Sequence, residues 1–490
     1  MQFKGRTVAA YIALTIVATV LLTLMVVDRS LLQELSSRAG LVTAQGDQVI
    51  TEKLTQEELT KLNTVLSLIE TKYYKPVDRE QVVSGALNGM MGVLEDPYSV
   101  YMEHDAAEHF SESIEGSFTG IGAEVSMENG QVIVVSAIKD SPAERAGLLP
   151  KDIILSVNGE RLDGLQLSEA VAKVRGPKGS KAELQIQRGQ RAQPIQVTVV
   201  RDEIDVETVF SEMLPGGIGK IEIRQFAMNT GDRFGEELAT LEEQGMKGLI
   251  IDVRNNPGGV LPVVVSVTEP FIRSGEPIVQ IEDRNGDREQ TVSKGAGKPY
   301  PLVVLTNKGS ASASEVLAGA LSERADATIV GETTFGKGTV QVSYNKVMSD
   351  GSLVKMTIAK WLTPDGNWIN ETGIEPDVEV LPPDFFNAPR LSKEQTLKRD
   401  MLGEEVRSAQ LMLSGLGYST GRKDGYYSEE TAKAVAAFQQ SVSLPASGEM
   451  DQATAERLEE KLIEWIRDDS NDNQLKAAVE ELQKKLDASS

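Results

Sequence analysis

The spacing of apolar and polar positions changes several times along the chain, and the first segment is the most apolar. Residues 7–27 form an almost unbroken apolar run behind two basic residues, Lys4 and Arg6. A helix of about 20 such residues crosses a hydrocarbon core, and the positive-inside rule leaves its basic end in the cytoplasm. A charged pair, rather than a small-residue cleavage site, follows the run. We therefore expect an uncleaved membrane anchor at residues 1–28, with the rest of the chain outside the cytoplasm.

The next segment, residues 45–112, has the period of amphipathic helices. Apolar side chains recur every three to four positions over residues 54–69 and again over residues 82–94. Thr55 and Glu58 form a capping-box pattern at the start of the first stretch. The sequence therefore predicts a helical N-terminal region.

Residues 113–202 change to short β-type runs, which Gly, Pro, Asp and Asn interrupt. Two helices are predicted between these runs. The first ends at Gly147, where glycine can take the left-handed C-cap conformation, and the second ends at Gly176. This pattern predicts a small β-rich domain.

Strands and helices alternate over residues 203–385. Apolar runs such as KGLIIDV and PLVVLTN indicate strands, and stretches such as ASEVLAGALSERA indicate helices. This alternation predicts a three-layer α/β core with a mainly parallel sheet. Prolines mark residues 386–397 as a linker, residues 398–465 have the pattern of a small three-helix module (the C-terminal module), and residues 466–490 are a charged tail. The apolar spacing in this tail predicts a short amphipathic helix, which we expect to be a solvated appendage.

Composition narrows the chemistry that the chain can use. It has no cysteine, which excludes disulfides, thiolate zinc sites and a cysteine nucleophile. Its 50 Lys and Arg against 73 Asp and Glu give a net charge of −23, so nucleic acid is not an expected partner. The only histidines, His104 and His109, have no partner motif and are expected to be surface or structural residues. Carboxylates, lysines and hydroxyls are left for catalysis.

A serine-rich segment, NKGSASASE at residues 307–315 (the serine turn), follows a predicted strand and precedes a predicted helix. A serine here lies at the positive end of a helix dipole and is exposed for attack on a substrate. The residues alone do not distinguish Ser310, Ser312 and Ser314 as the nucleophile. A structural helix cap is an equally good interpretation of the same residues.

A serine nucleophile needs a base, and lysine can serve as one where desolvation favours its neutral form. Lys337 lies between Gly336 and Gly338 in the segment GETTFGKGTVQ at residues 331–341 (the lysine loop). The two glycines would allow the chain to approach closely around this lysine.

These two segments resemble the motifs of carboxyl-terminal processing peptidases, a Ser-Lys group of the S41 serine proteases with an inserted PDZ domain. The resemblance covers about residues 55–385. It implies that Ser312 is the nucleophile, that Lys337 is its general base and that Gln341 orients the lysine. One straight strand would separate the last two residues by about 13 Å, so we expect a bend at Gly338.

The segment DVRNNPGG, residues 252–259 (the glycine turn), matches a second motif of this family. The resemblance implies that the backbone N–H groups of Gly258 and Ala313 form the oxyanion hole. Two donors must point at the developing oxyanion, and each can contribute about 3 kcal/mol to transition-state stabilisation. Outside the family context, the segment indicates only a turn.

The β-rich segment resembles a PDZ domain of the type that bacterial proteases carry. Residues 118–123, FTGIGA, match its carboxylate-binding loop, which implies that Gly120, Ile121 and Gly122 bind a peptide terminus. The glycines would let successive N–H groups converge on the carboxylate while the sheet edge pairs with the peptide backbone. Arg175 resembles a PDZ residue that couples peptide binding to the active site.

The C-terminal module resembles a peptidoglycan-binding domain over nearly its full length. Together with the anchor, it implies a Gram-positive-type cell envelope and a role in signalling proteolysis, such as that of sporulation. Relatives with this layout dimerise through their N-terminal helices, so a homodimer is expected. The chemistry calls for no metal and no other cofactor.

The sequence thus predicts a multidomain α/β protein: a Ser-Lys protease core with an inserted β-rich PDZ domain, a helical N-terminal region and a small three-helix C-terminal domain. Its expected function is a serine endopeptidase that recognises the C-terminal tail of a protein or peptide substrate. The alternative is a non-catalytic adaptor that tethers partners through its PDZ and wall-binding domains, against which the intact site residues count. A wall hydrolase would need a carboxylate pair or zinc site in the C-terminal module, and the sequence carries no such signature there.

Overall fold

The computed structural model describes residues 53–128, 130–189, 193–345 and 348–489. The predicted membrane anchor lies outside these residues. None of the helices within them combines the length and the hydropathy needed to cross a bilayer. The described chain divides into two compact units, of which the first comprises residues 53–108, 260–266 and 341–357 and the second residues 109–259, 267–340 and 358–489.

The described residues form twelve α-helices and nineteen strands. The helices are α1 (Gln56–Lys72), α2 (Arg79–Gly92), α3 (His104–Glu115), α4 (Pro142–Arg145), α5 (Leu167–Val174), α6 (Thr230–Glu243), α7 (Leu261–Thr268), α8 (Ala313–Ala325), α9 (Glu404–Gly415), α10 (Glu429–Ser441), α11 (Gln452–Ile466) and α12 (Asn473–Ser489). The strands are β1 (Val100–Met102), β2 (Ser117–Gly120), β3 (Ala123–Glu128), β4 (Gln131–Ala137), β5 (Ile153–Val157), β6 (Glu160–Arg161), β7 (Lys181–Gln187), β8 (Ile195–Val200), β9 (Asp202–Asp205), β10 (Val209–Leu214), β11 (Ile218–Ile223), β12 (Gly248–Asp252), β13 (Pro277–Asp283), β14 (Arg288–Val292), β15 (Leu302–Thr306), β16 (Thr328–Gly331), β17 (Thr339–Tyr344), β18 (Leu353–Leu362) and β19 (Val378–Glu379).

The first unit contains residues 53–108 of the predicted helical N-terminal region. The capping box of α1 is confirmed, because Thr55 N donates to Glu58 Oε2 at 2.8 Å and Glu58 N donates to Thr55 Oγ1 at 3.3 Å. No side chain of α1 is buried, and in α2 only Ser84 is. A short strand, β1, pairs antiparallel with the start of β18, with Val100 opposite Lys355.

The β-rich domain lies in the second unit. Its antiparallel sheet has the order β3-β4-β5-β7-β8, and its apolar side chains form a core of their own. The left-handed glycine predicted after α4 is confirmed, since Gly147 has a φ of 77°. Helix α5 ends at Val174, two residues before the predicted Gly176. Gly176 serves a different purpose, because a Cβ there would lie 3.0 Å from the Arg201 guanidinium.

The α/β core is built on a sheet with the order β10-β11-β12-β15-β16-β19. All neighbouring pairs in it are parallel except the pair of β10 with β11, so the mainly parallel sheet is confirmed. Strands β12 and β15 are adjacent, and their carboxyl ends reach the same edge of the sheet. The glycine turn leaves from one of these ends and the serine turn from the other, as is usual for sites in open parallel sheets.

Helices α9, α10 and α11 form the predicted three-helix module around large buried side chains such as Tyr427 and Phe438. Two leucines of the predicted linker, Leu391 and Leu397, are buried in this same cluster. They therefore belong to the module, because the apolar side chains of this stretch fold back onto its helices.

The charged tail is not a solvated appendage, and that expectation is wrong. Its helix, α12, packs onto the parallel sheet through the fully or nearly buried Leu475, Ala478 and Leu482. Opposite them lie apolar side chains of β11, β12, β15 and β16. Gly248 makes room for the helix, because a Cβ there would lie 3.2 Å from the Leu482 side chain. Helix α12 is therefore a layer of the α/β core.

Candidate active site

The three candidate serines of the serine turn differ in exposure. Ser310 and Ser314 are fully buried, and their hydroxyls donate to the backbone oxygens of Val253 at 2.7 Å and Asn256 at 2.9 Å. Ser312 is partly exposed and stands at the N-cap of α8 with a φ of 55° and a ψ of −111°. A positive φ is costly for a residue other than glycine and is often found at functional sites. Geometry therefore singles out Ser312, which the residues alone did not.

A buried carboxylate joins the serine turn to the lysine loop. Glu315 is fully buried in the first turn of α8. Its Oε2 accepts from the backbone N–H of Ser312 at 2.7 Å and from that of Lys337 at 2.9 Å. Its Oε1 accepts from Gly336 N at 2.6 Å and from Thr334 Oγ1 at 2.7 Å. These four bonds compensate the buried charge. The two bonds to Oε2 bind the backbone N–H groups of the candidate nucleophile and the candidate base to the same oxygen atom.

Sequence reasoning missed Glu315, although a signal for it was present. It stands three positions after Ser312, which is the capping-box spacing, and it is the only charge in the first two turns of a helix that is otherwise small or apolar. A charge at such a position must find partners when the helix is buried.

The close approach predicted around Lys337 is confirmed. A Cβ on Gly336 would lie 3.0 Å from the backbone of Glu371, and a Cβ on Gly338 would lie 2.7 Å from the Trp368 indole nitrogen. Lys337 itself is partly buried. Strand β17 begins immediately after Gly338, so the lysine does not share a regular strand with the residues that follow.

Gln341 belongs to the first unit, where a chain of hydrogen bonds fixes its side chain. Its amide donates to Thr357 Oγ1 at 3.1 Å, and Thr357 N donates to Ser99 Oγ at 3.0 Å. The Ser99 hydroxyl in turn donates to Asp96 Oδ2 at 2.6 Å. These supporting residues were not identified from the sequence, because they lie more than 240 positions before Gln341 or on another strand.

The glycine turn lies against the serine turn. Gly258 has a φ of 107°, and a Cβ there would lie 2.9 Å from Ser312 Cβ and 3.0 Å from Ala313 N. The two predicted oxyanion donors are therefore neighbours. The N–H of Gly258, however, donates to the side-chain oxygen of Asn256 at 2.9 Å. Asn256 is fully buried and donates through its amide to Ile223 O at 2.8 Å, so this acceptor is rigidly held.

In the β-rich domain, Gly120 is the last residue of β2, and Ile121 and Gly122 connect β2 to β3. Gly122 has a φ of 75°, and a Cβ there would lie 2.4 Å from Ser141 Cβ, so only glycine fits. Ile121 is buried in the domain core. Strand β3 follows this loop and is an edge strand of its sheet, so a peptide strand can pair with it.

Arg175 is paired rather than solvated. Its Nη1 donates to Glu112 Oε2 at 2.5 Å, and its guanidinium lies 5.3 Å from the ring centroid of Phe118. His109 lies beside the pair, with its Nδ1 at 3.4 Å from Arg175 Nη1. His109 and His104 are both largely exposed, as predicted.

Four segments of the chain match known protein families. Residues 217–380 match peptidase family S41, and residues 133–188 match the PDZ domain. Residues 24–106 match the N-terminal domain of the activating protease CtpB, and residues 403–458 match a putative peptidoglycan binding domain. The order of these matches is the order of the domains predicted from the sequence.

Two named relatives match most of this chain and most of their own length. The chain is 46% identical over 428 residues to the carboxy-terminal processing protease CtpB of Bacillus subtilis strain 168, covering 86% of this chain and 89% of that protein. It is 41% identical over 427 residues to CtpA of the same organism, covering 87% and 90%. A photosystem II D1 C-terminal processing protease of solved structure is 30% identical, with a TM-score of 0.40 over 67% of this chain and 94% of that one. The chain belongs to peptidase family S41, as a serine-type carboxyl-terminal processing protease of the CtpB kind with a PDZ domain.

Proposed function

We propose that this protease cleaves its substrates with a Ser-Lys centre in which Ser312 is the nucleophile and Lys337 the general base. The observation that carries the proposal is the shared carboxylate of Glu315, which accepts a backbone N–H from each of the two residues. Ser312 is also the one of the three candidate serines that is not fully buried. Gln341 orients the lysine side chain in this scheme.

The reaction follows ordinary serine protease chemistry. Neutral Lys337 takes the proton of the Ser312 hydroxyl as its oxygen attacks the scissile carbonyl carbon. The tetrahedral intermediate collapses when the lysine returns that proton to the leaving amine, which breaks the C–N bond. Water then attacks the acyl carbonyl carbon while the lysine accepts its proton. The ester C–O bond breaks as the lysine passes this proton to the Ser312 oxygen, which releases the second product and restores neutral Lys337.

The N–H groups of Gly258 and Ala313 stabilise the oxyanion in this proposal. Ala313 begins α8, so the positive end of the helix dipole supports its N–H. In the described conformation Asn256 accepts the N–H of Gly258. The oxyanion therefore has to compete with, or displace, this neutral acceptor, and its full negative charge makes it the stronger partner.

In this proposal the protease recognises its substrate by the substrate's C-terminal tail. The loop of Gly120, Ile121 and Gly122 receives the carboxylate, and the peptide backbone adds to the edge strand β3. Arg175 couples the binding of a peptide at the PDZ domain to the active site. Its bond to Glu112 supports this role, because it joins the end of α5 to helix α3.

We further propose that the enzyme acts in the cell envelope, on the basis of its remaining segments. Residues 1–28 anchor it in the membrane with the catalytic domains outside the cytoplasm, and the C-terminal module binds peptidoglycan. The N-terminal helices pair with those of a second copy, which the uncovered apolar side chains of α1 support. The layout suits signalling proteolysis of the sporulation type.

The proposal is tested with a fluorogenic peptide that has an apolar C-terminus. Ser312→Ala and Lys337→Ala are expected to abolish turnover, because each removes a group that takes part in bond making. Lys308→Ala is the matched lysine control, since this side chain is 73% exposed in the serine turn. A fluorophosphonate probe should label Ser312 in the wild-type chain, with the modified residue identified by mass spectrometry.

Equal turnover by wild type and Ser312→Ala would overturn the assignment. Turnover that is absent from the wild type as well, with tight binding of the same peptide, would favour the adaptor function instead. Activity in Ser312→Ala with loss in Ser310→Ala or Ser314→Ala would move the nucleophile to one of those residues.

A further inference from the structure

The C-terminal module is an insertion in the α/β core. The chain leaves the core after β19 and returns at the start of α12, and these two points are bonded to each other. Gln474 Nε2 donates to Val380 O at 2.7 Å, and Asn473 Nδ2 donates to Leu381 O at 3.0 Å. We call residues 380–381 and 472–474 the stem of the module.

The stem is attached to the glycine turn by Arg254. The guanidinium of Arg254 binds both carboxylate oxygens of Asp472, with Nη1–Oδ1 at 3.1 Å and Nη2–Oδ2 at 2.8 Å. Its Nη1 also donates to Gln474 Oε1 at 3.0 Å. On its other side it binds Asp252, with Nη2–Oδ2 at 2.7 Å. One arginine thus bridges the end of β12 and the returning chain.

This bridge is largely desolvated. The Arg254 and Asp472 side chains are 16% and 22% exposed. Burial alone would lower the pKa of Arg254, but Asp252 and Asp472 raise it above its ordinary value. Burial alone would raise the pKa of Asp472, but the bonds from Arg254 lower it. Loss of one partner would leave a buried charge without compensation, which is costly.

Arg254 is four positions before Gly258 in the glycine turn. Its own N–H donates to Asp252 Oδ1 at 3.0 Å, and the N–H of the next residue, Asn255, donates to Asn307 Oδ1 at 2.8 Å. Asn307 opens the serine turn. The arginine that holds the stem is therefore part of the hydrogen-bonded structure that sets the glycine turn against the serine turn.

We propose that Asp472 is a positioning residue for catalysis, which acts through Arg254 on the glycine turn and its Gly258 N–H. This inference rests on the oxyanion role proposed for Gly258. It makes the stem of the wall-binding module a support of the active site. An error of about 1 Å in the position of a catalytic group can lower kcat by roughly a hundredfold, so a distant carboxylate can matter this much.

Two substitutions at position 472 separate positioning from helix capping. Asp472 Oδ1 also accepts from Leu475 N at 2.9 Å and so caps α12. Asp472→Asn retains a good cap but loses the charge, whereas Asp472→Glu retains the charge but is a poor cap. We expect kcat to fall roughly ten- to a hundredfold in Asp472→Asn with KM unchanged, and Asp472→Glu to recover most of it.

Asp451→Asn is the matched control in the full-length chain. Asp451 caps α11 by accepting from Thr454 N at 2.9 Å, inside the module and away from the stem. Its substitution makes the same chemical change at the same kind of helix position. We expect wild-type kcat from this variant.

Three results would overturn the positioning role. The first is a wild-type kcat in Asp472→Asn, and the second is a lower kcat in Asp472→Glu than in Asp472→Asn. The third is that both variants bind the peptide more weakly and also unfold at a lower urea concentration. The last result would mean that the residue acts only on stability. Ser312→Ala is run beside them. If Ser312→Ala cleaves normally, the proposed function fails; if it is inactive while Asp472→Asn is normal, only the present inference fails.

Discussion

Helices α1 and α12 are two amphipathic helices of the same length that differ in what covers their apolar side. Each has 17 residues and a face on which apolar side chains recur every three to four positions. In α1 none of the side chains is buried, and Leu62 and Val65 are 55% and 57% exposed. In α12 the equivalent face is buried on the parallel sheet, with Leu482 fully inaccessible.

This difference shows that an amphipathic pattern predicts a buried helix face but does not identify the element that covers it. For α12 the partner is a sheet, and the strands that supply its buried contacts (β11, β12, β15 and β16) precede the helix by about 140 to 255 positions. The contact makes the helix part of the core. For α1 the part of the chain that the structure describes supplies no such partner. A second copy is the partner that we propose for it.

The sharpest test of the comparison is a matched pair of substitutions, Leu482→Asp and Leu62→Asp. Leu482→Asp places an unpaired charge in a closed core, and even Leu→Ala at such a site costs about 2–5 kcal/mol. The free energy of unfolding should therefore fall by more than about 3 kcal/mol. Leu62→Asp should change it by less than about 0.5 kcal/mol in the monomer, because the site is exposed.

Urea unfolding at concentrations where the chain is monomeric measures both values, with far-UV circular dichroism as the signal for the helical first unit and tryptophan fluorescence as the signal for the second unit. Trp361 is buried in the second unit and reports on its unfolding. Equal effects of the two substitutions would remove the distinction between the helices.

The next largest effect concerns self-association. A double substitution of Leu62 and Val65 to Asp should weaken the dimer by about a hundredfold or more, because burial of each of the two side chains contributes about 1.5–3 kcal/mol. Lys61→Gln is the control, since Lys61 is on the polar side of α1, where it pairs with Glu57. Sedimentation velocity of the full-length chain in detergent gives the mass. A wild type that is monomeric throughout, or a double variant that dimerises normally, would contradict the expectation.

Much of the fold could be predicted from the sequence, because its strands are either continuously apolar or sharply bounded. The runs GLIID and LVVLT became β12 and β15, both fully buried. Strand β14, by contrast, was not predicted, since REQTV has polar and mostly exposed side chains and exists as a strand through its pairing with β13. The position of α12 was also missed, because its contacts are distant in sequence.

In the candidate site, too, some residues could be predicted from the sequence and others only from the structure. The residues alone indicated Lys337 as a base but left three serines open, so Ser312 and the role of Gly258 came only from the family resemblance. Burial in the structure distinguishes Ser312 from its neighbours. Glu315 and Asp472 were missed. Each acts by holding backbone or side-chain groups from another segment, and a linear pattern does not contain such pairings.

A pH titration distinguishes the anchored start of α12 from the exposed start of α1. The pKa of Asp472 is lower in the folded chain than its ordinary value, so its stabilising contribution is present above that ordinary pKa of about 3.9 and disappears as the pH falls through the folded pKa. The difference in unfolding free energy between wild type and Asp472→Asn should be constant from pH 5 to 7 (about one unit or more above the ordinary pKa) and shrink below about pH 4.

Glu58 in α1 provides the comparison for this titration. Its pKa is also lowered, first by the backbone N–H of Thr55 and then by the Thr55 hydroxyl, but the side chain is fully exposed. Glu58→Gln should therefore give a smaller difference from wild type across the same pH range, because solvent screens the exposed group. A larger acid-sensitive difference for Glu58 than for Asp472 would reverse the order that burial predicts.

The smallest expected effect is on the local opening of α1. Thr55→Ala removes the cap, which costs about 1 kcal/mol. At concentrations where the chain is monomeric, amide exchange along α1 should accelerate roughly fivefold, because its own hydrogen bonds are then its main support. Ser428→Ala is the counterpart in a packed helix, since Ser428 caps α10 by accepting from Thr431 N at 3.2 Å. Exchange in α10 should change only with the stability of the whole module, because that helix opens when the module opens. If Thr55→Ala leaves exchange in α1 unchanged, then a contact other than the cap holds that helix, and its exposed face in the single chain would not describe the protein in solution.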